Sequence, residues 1–153
     1  MELLSTYKRN YIESIPGYYR DAWENPEDTL KRILSIDDTR LNPDNFDTFV
    51  AKGISGMLII RDIAKAMNKY WAMPRLVPSS HYNSIIIGTL GKRWMFIDDL
   101  IDSGKTVKTT IEIVEKYAQL HDFETEFMGA LTYNPPEYYS VDELKRNFLK
   151  NNL

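Results

Sequence analysis

The residues with the clearest capacity for chemistry lie in the stretch 93–107, RWMFIDDLIDSGKTV. An apolar run ends in the adjacent acids Asp98 and Asp99, and Asp102 follows just before a Ser-Gly-Lys-Thr turn. Carboxylates repel phosphate, but they suit sugar hydroxyls or a hydrated Mg²⁺. A glycine turn that opens a helix offers backbone N–H groups to a phosphate. The stretch therefore predicts a ligand that carries a phosphate, a diol and a metal ion.

The phosphate part of this prediction falls on Ser103, Gly104, Lys105 and Thr106. Their backbone N–H groups are expected in the first turn of a helix, and two hydroxyls lie close by. Gly104 permits a close approach of the backbone to a ligand because it has no side chain. Any phosphate binding is thus expected to be local to this turn.

Two other interpretations compete with a phosphosugar site. A Walker A loop, G-x-x-x-x-G-K-[ST], needs an earlier glycine at the position of Asp99, so that pattern fails. Alternatively, the acids only complement the dipole of the following helix. Adjacent acids at the end of an apolar strand would repel each other without a ligand, which favours a binding site.

The chain before this stretch alternates between strand and helix patterns. A helix is predicted after Asn25-Pro26, a strand over 46–51 (FDTFVA), and a helix from Ser55 to Met67. Pro74 is expected to break the chain, with a short strand at 75–77 (RLV). In 84–98, two β-prone runs separated by GTLGKR favour a hairpin-like connection.

The chain after the stretch continues the alternation. Residues 105–120 place Val107, Ile111, Val114 and Ala118 on one helical face. A strand follows over 123–134, prolines end it, and Ser140 with Glu143 has the spacing of a capping box that starts a last helix. Strands that alternate with helices predict an α/β fold, with a Rossmann-like, mostly parallel sheet flanked by helices.

Composition limits the class of protein. The 153 residues fit a single domain, and we divide it into a cover segment (1–42), a core (43–134) and a carboxyl-terminal helix (135–153). There is no cysteine, so thiolate metal sites and disulfides are excluded. The net charge of −3 argues against a nucleic-acid partner. No apolar run approaches the roughly 20 residues of a membrane span, so we expect a cytoplasmic protein without membrane contact.

The stretch MFIDDLIDSGKT resembles the fingerprint of the type I phosphoribosyltransferases, an apolar run with two acids and a phosphate turn. Its form is most similar to that of hypoxanthine-guanine phosphoribosyltransferases. A second similarity lies in FVAKGISG, where Ala51, Lys52 and Gly53 match the family's diphosphate loop. The resemblance covers about residues 46–134 and implies the family's fold, with a small hood built from the two ends of the chain.

The resemblance implies transfer of a phosphoribosyl group from 5-phosphoribosyl-1-diphosphate (PRPP) to a nucleobase-like acceptor, with a weak preference for purines. Asp98 and Asp99 would hold the ribose hydroxyls and Mg²⁺. Residues 102–106 (Asp102, Ser103, Gly104, Lys105 and Thr106) would grip the 5-phosphate. Residues 51–53 would hold the diphosphate. Asp102 would also be the catalytic acid or base on the acceptor side.

The acceptor side departs from the purine enzymes, which carry a lysine where this chain has Tyr133 and Asn134. These residues are the predicted acceptor contacts, and Ser80 and Tyr82 are predicted to belong to a mobile lid. Tyr138 and Tyr139 are further candidates for the hood. A PRPP-binding regulator with little turnover and a family member with an unusual acceptor are the alternatives. The family implies a homodimer.

Overall fold

The computed structural model describes residues 20, 22, 24–75 and 86–149, in which a six-stranded sheet carries helices on both faces. The predicted α/β class, with a mostly parallel sheet, is confirmed. In chain order the elements are α1 (Pro26–Leu34), β1 (Thr48–Val50), α2 (Ile54–Met57), α3 (Ile60–Met67), β2 (Tyr70–Pro74), β3 (Ile86–Gly88), β4 (Arg93–Asp98), α4 (Lys105–Leu120), β5 (Glu126–Tyr133), β6 (Pro136–Tyr139) and α5 (Val141–Asn147). A short 3-10 turn, Pro43–Asn45, precedes β1.

The strands lie in the order β3-β2-β1-β4-β5-β6. The four central strands run parallel, and the edge strands β3 and β6 run antiparallel to their neighbours. From β1 the chain continues to β2 on one side, whereas from β4 it continues to β5 on the other. The strand order therefore reverses between β1 and β4. Open α/β sheets bind ligands outside the carboxyl ends of their strands at such a reversal.

Side chains of the central strands alternate between two apolar cores, as the period of a β-strand requires. The first core joins Phe49, Met95, Ile97 and Leu131 to Ile33 of α1 and to Ile60 and Ile63 of α3. The second joins Val50, Trp94, Phe96 and Ala130 to Val107, Ile111 and Val114 of α4 and to Leu144 of α5. The predicted apolar face of α4 is thereby confirmed. Each large side chain buried in this way stabilises the fold by about 1.5–3 kcal/mol.

Strand β2 lies earlier in the chain than predicted. The predicted strand at 75–77 is wrong at Arg75, and its other two positions lie outside the described residues. Instead, Tyr70–Pro74 forms the strand, and Tyr70, Trp71 and Ala72 pair in parallel with β1. Pro74 lacks a backbone N–H, and it stands at the last position of the strand, beyond the register shared with β1.

The predicted hairpin between β3 and β4 is also wrong. β3 pairs with β2 at the edge of the sheet, and β4 lies between β1 and β5. All residues of β4 after Arg93 are buried, so this strand needs cover on both faces and a central place. The connection crosses the amino-terminal edge of the sheet, where the Gly91 N–H donates to Thr48 Oγ1 at 2.9 Å.

Strand β6 was not predicted. The prolines do end β5, but the chain turns at Asn134-Pro135, whose peptide bond is cis. It then pairs antiparallel with β5, from Tyr133↔Pro136 to Ala130↔Tyr139. Pro136 occupies the first position of this edge strand, a place where a strand tolerates proline.

The predicted helix starts are confirmed for α5 and α1. In α5 the Glu143 N–H donates to Ser140 Oγ at 3.2 Å, and the Ser140 N–H donates to Glu143 Oε2 at 3.3 Å. α1 begins at Pro26 after Asn25, although the Asn25 side chain makes no capping hydrogen bond. No helix in the described ranges is both long and apolar enough to cross a lipid bilayer.

Arg40 links the loop after α1 to the carboxyl-terminal helix. Its guanidinium lies 2.6 Å from Asp38 and 2.9 Å from Glu143, and it is 5.5 Å from the centre of the Tyr138 ring. The hydrogen bonds from Arg40 hold the pKa of the Asp38 carboxyl down at about 2. The two ends of the described chain are thereby joined on the side of the sheet that ends in β6.

Candidate functional site

The acid pair lies where the strand order reverses, beside the loop that follows β1. Asp98 is the last residue of β4 and Asp99 follows it, and each has only 8% of its surface exposed. The Ser55 hydroxyl, at the start of α2, donates a hydrogen bond to the Asp98 carboxylate. The two loops that the family resemblance assigns to one site, after β1 and after β4, are therefore in direct contact.

The surroundings of Asp98 disfavour its charge. Burial, and to a smaller extent the neighbouring Asp99 carboxyl, raise the pKa of the Asp98 carboxyl to about 6. The hydrogen bonds from Ser55 and from the Asp99 backbone N–H, the latter at 2.9 Å, act in the opposite direction. A carboxylate that is costly to ionise alone gains most from a bound cation or a donated hydrogen bond.

The loop after β1 offers backbone groups and space rather than side chains. Ala51 is fully buried in the first core, so only its backbone could reach a ligand, and Lys52 is half-buried. Gly53 precedes α2 and lines the cleft, and a Cβ atom there would have no neighbour closer than 3.9 Å. Of the predicted diphosphate residues, Gly53 thus faces the cleft, and the other two stand immediately before it.

Gly56 explains how α2 comes so near the acid pair. A Cβ atom at this position would lie 2.5 Å from the Ile97 carbonyl oxygen and 2.7 Å from the Ala51 Cβ. Only glycine allows the first turn of α2 to rest directly on the end of β4. This close packing brings the Ser55 hydroxyl within reach of Asp98.

The turn before α4 has the features of an anion site. The helix begins at Lys105, and its N-cap residue, Gly104, has no side chain to cap it. The first N–H groups of a helix have no intrahelical partners, and the helix dipole favours an anion beside them. The Lys105 N–H reaches Ser103 Oγ at 3.3 Å, and the side chains of Lys105 and Thr106 are exposed. All the predicted 5-phosphate residues, from Asp102 to Thr106, line the cleft.

Gly104 fixes the shape of this turn. Its backbone has φ +80°, a left-handed conformation that side chains disfavour. A Cβ atom there would also lie 2.6 Å from the Phe148 Cβ, at the end of α5. The carboxyl-terminal helix therefore supports the turn from behind.

The site is a cleft of about 350 Å³, a size suited to a small ligand. It is lined by Gly53, Ile54, Ser55, Asp98, Asp99, Leu100, Ile101, Asp102, Ser103, Gly104, Lys105, Thr106 and Val107. Among the described residues, no group of three or more histidine or acidic side chains could hold a metal. Mg²⁺ often takes one or two carboxylates and completes its shell with water and phosphate oxygens. Asp98 and Asp99 could supply the carboxylates of such a site, with water and a bound phosphate as the other ligands.

Tyr133 is buried beside the loop after β1 and is not among the residues that line the cleft. Its side chain is 2% exposed, and its hydroxyl donates a hydrogen bond to the Ser55 carbonyl at 2.8 Å. The tyrosine is a buried support of the loop after β1, and its contact with an acceptor stays a prediction. Asn134 is exposed, and its N–H donates to the Asp99 carbonyl at 2.8 Å. Its contact with an acceptor stays a prediction.

The predicted lid and hood are only partly within the described chain. Ser80 and Tyr82 lie outside the described residues. Tyr138 packs against the first core and Tyr139 against the second, and neither lines the cleft. In the structure both are core-packing residues, and the hood itself stays a prediction. The described part of the cover, α1, packs on β5 and β6 and does not line the cleft either.

Ser55 and Phe148 were not singled out in the sequence. Ser55 is a small polar residue two positions after Lys-Gly, in a segment otherwise apolar, and this contrast could have marked it. Phe148 carried no such signal, because its contact with Gly104 joins residues far apart in the chain.

No protein-family model and no curated protein matches the chain. Solved structures do resemble it. UMP synthase of Leishmania donovani is 21% identical with a TM-score of 0.48, and the match covers 74% of this chain and 24% of that one. Orotate phosphoribosyltransferase of Aeropyrum pernix is 14% identical with a TM-score of 0.49, and the match covers 71% and 58%.

Adenine phosphoribosyltransferase of Thermoanaerobacter pseudethanolicus is a third similar structure, 17% identical with a TM-score of 0.45. The match covers 81% of this chain and 78% of that one. The chain thus spans about a quarter of the length of the first of the three and somewhat more than half of the second.

Proposed function

We propose that the chain is a Mg²⁺-dependent phosphoribosyltransferase that uses PRPP and a nucleobase-like acceptor and releases pyrophosphate. One observation carries the proposal. A single cleft joins an uncapped helix start, a buried acid pair and a glycine that leaves room for a ligand, Gly53. A substrate with a phosphate at one end, a diol in the middle and a diphosphate at the other end matches these three parts in order.

The binding roles follow from the chemistry of each part. The N–H groups of the turn from Ser103 to Thr106 would hold the 5-phosphate, and Lys105 would add positive charge. Asp98 and Asp99 would accept hydrogen bonds from the ribose hydroxyls. The backbone at Gly53, with Lys52 nearby, would hold the diphosphate. Mg²⁺, held by the acid pair with substrate oxygens, would offset the charge of the leaving group.

The transfer breaks the bond between the anomeric carbon and the diphosphate oxygen, which leaves with the electron pair. A nitrogen lone pair of the acceptor forms the new bond to that carbon. Positive charge that develops on the sugar ring is stabilised by the nearby carboxylates of Asp98 and Asp99. Most of the acceleration would come from holding the two reactants in this geometry.

Asp102 would receive the proton that the acceptor nitrogen loses. It is exposed and lines the cleft between the acid pair and the phosphate turn. A solvent-facing carboxylate beside the acceptor can take a proton directly or through one water molecule. Asn134, exposed at the end of β5, is the proposed polar contact on the acceptor side.

The acceptor is proposed to be a flat heterocycle, with purines as the first to examine. Ile54 and Leu100 line the cleft with exposed apolar side chains, which supports an apolar ring. The enzyme is further proposed to act as a homodimer.

The test is a pyrophosphate-release screen with PRPP and Mg²⁺ over purines, pyrimidines, and pyridine carboxylates and amides. We expect release with at least one acceptor and none from the variant Asp98→Asn/Asp99→Asn. The doubly substituted Asp37→Asn/Asp62→Asn, which changes two exposed acids outside the cleft, is the matched control. Tight PRPP binding without pyrophosphate release from any acceptor would overturn the proposal that the chain is an enzyme and would indicate a PRPP-binding regulator.

A further inference from the structure

Four hydrogen bonds join the loops after β1 and β4 and the end of β5 into a closed ring. The Ser55 hydroxyl donates to the Asp98 carboxylate, which also accepts from the Asp99 N–H at 2.9 Å. The Asp99 carbonyl accepts from the Tyr133 N–H at 3.2 Å. The Tyr133 hydroxyl closes the ring by donating to the Ser55 carbonyl at 2.8 Å.

The ring is shielded from water. Ser55 is 5% exposed, Tyr133 is 2% exposed, and both acids are 8% exposed. A buried hydrogen bond is costly to break because its partners find no water in exchange. The members of the ring therefore constrain one another more strongly than surface groups would.

Two side-chain hydroxyls in the ring contribute little to packing. Phenylalanine would fill the volume of Tyr133 without the hydroxyl, and alanine would favour the first turn of α2 more than Ser55 does. What the hydroxyls do supply is a fixed relation between the loop that begins at Ala51 and the acid pair. In the proposed function, these two parts hold the leaving diphosphate and the ribose.

We propose that Ser55 and Tyr133 are positioning residues, which lock the diphosphate loop to the acid pair so that both halves of the phosphosugar site keep one separation. This inference rests on the proposed function. Neither residue needs to touch the reacting atoms. Their effect is on the alignment of the bond that breaks, and misalignment of reactants lowers the rate of the chemical step more than it weakens binding.

The first test is Tyr133→Phe, with Tyr139→Phe as the matched control. Tyr139 donates its hydroxyl to Glu137 on β6 and does not line the cleft. We expect Tyr133→Phe to lower kcat about tenfold while the KM for PRPP changes less than about threefold. Tyr139→Phe should leave both unchanged. Equal kinetics of Tyr133→Phe and the wild type would overturn the inference and leave the proposed function intact.

Ser55 gives a second test with rescue by a conservative variant. Ser55→Ala should lower kcat to a similar degree, and Ser55→Thr, which keeps the hydroxyl, should recover part of the loss. Because both residues act through one ring, the double variant Ser55→Ala/Tyr133→Phe should lose less than the product of the single losses. If the kcat loss of the double variant equals the product of the two single losses, the residues act independently, and a shared ring is contradicted.

A measurement that needs no turnover separates this inference from the proposed function. Amide hydrogen exchange of the free protein should become about fivefold faster in residues 51–56 and 98–101 of Tyr133→Phe, the effect of one lost hydrogen bond. Tyr139→Phe should leave both segments unchanged. If the wild type lacks transferase activity, the proposed function fails. If Tyr133→Phe leaves hydrogen exchange in both segments unaltered, the proposal that the ring holds the two loops together is contradicted, whatever the transferase activity is.

Discussion

At the scale of single residues, Asp98 combines a proposed chemical role with a cost in stability. Burial raises the pKa of its carboxyl from 3.8 to about 6. The pKa of this carboxyl is higher in the folded protein than in the unfolded chain. Its contribution to the free energy of unfolding is therefore most favourable below about pH 3.8 and is lost as the pH rises through about 6. Near neutral pH the protein without ligand therefore holds an unfavourable charge, which a bound cation would relieve.

Replacement of this carboxyl should make the metal-free protein more stable. Asp98→Asn keeps an oxygen that can accept the hydrogen bonds of Ser55 and of the Asp99 N–H, but it carries no charge. We expect the free energy of unfolding at pH 7 to rise by about 1–3 kcal/mol, in line with the pKa difference. Urea denaturation at pH 7 and pH 5 measures this, and the gain should shrink at pH 5. A less stable variant at pH 7 would contradict the cost assigned to Asp98.

The role proposed for Asp102 differs from that proposed for the acid pair, and kinetics can separate the two. It is exposed, so its loss removes no buried partner. Asp102→Ala should lower the rate of the chemical step by about 10²-fold to 10⁴-fold, the usual contribution of a general base, with a smaller change in PRPP affinity. Single-turnover kinetics and calorimetry give the two quantities. Asp37→Ala, an exposed acid outside the cleft, is the control. An equal loss in binding and chemistry would assign Asp102 to binding alone.

At the scale of elements, the two glycine turns of the site should respond differently to an added methyl group. Gly104 has φ +80°, and its Cβ would collide with Phe148, whereas Gly53 has an ordinary φ of −87° and open space beside it. Gly104→Ala should lower the free energy of unfolding by about 1–2 kcal/mol or more. Gly53→Ala should leave it unchanged but weaken PRPP binding, because its methyl group enters the cleft.

Thermal denaturation and calorimetric titration with PRPP distinguish the two alanine variants. Loss of stability in Gly53→Ala, or an unaltered melting temperature in Gly104→Ala, would contradict the geometry of these turns.

Elements with strong local signals could be predicted from the sequence, and those set by distant partners could not. The apolar face of α4 and the capping box of α5 are properties of residues four or fewer positions apart, and both are confirmed. β6 forms only because it pairs with β5, a partner that no local pattern indicates. It also begins with Pro136, and a proline in the sequence argues against a strand. The hairpin was wrong because two adjacent β-prone runs cannot reveal that β1 and β2 separate them in the sheet.

At the scale of the whole molecule, the sheet order brings the site together. The sequence singled out short segments as candidates for chemistry, and one cleft gathers Gly53, Asp98, Asp99 and the turn from Asp102 to Thr106. The side chains that connect them could not be predicted. Ser55 and Asp98 are 43 residues apart, and Tyr133 and Ser55 are 78 apart. These contacts follow from the placement of β4 between β1 and β5, for which no local pattern exists.

The central claim is that this cleft is a site for a phosphosugar diphosphate. Calorimetric titration of the chain with PRPP in the presence of Mg²⁺ tests it most directly, since binding is required by the enzyme and by a regulator alike. We expect one class of binding sites, a marked loss of affinity without Mg²⁺, and no binding by Asp98→Asn/Asp99→Asn in its folded state. Absence of binding by the folded wild-type protein with Mg²⁺ present would contradict the claim.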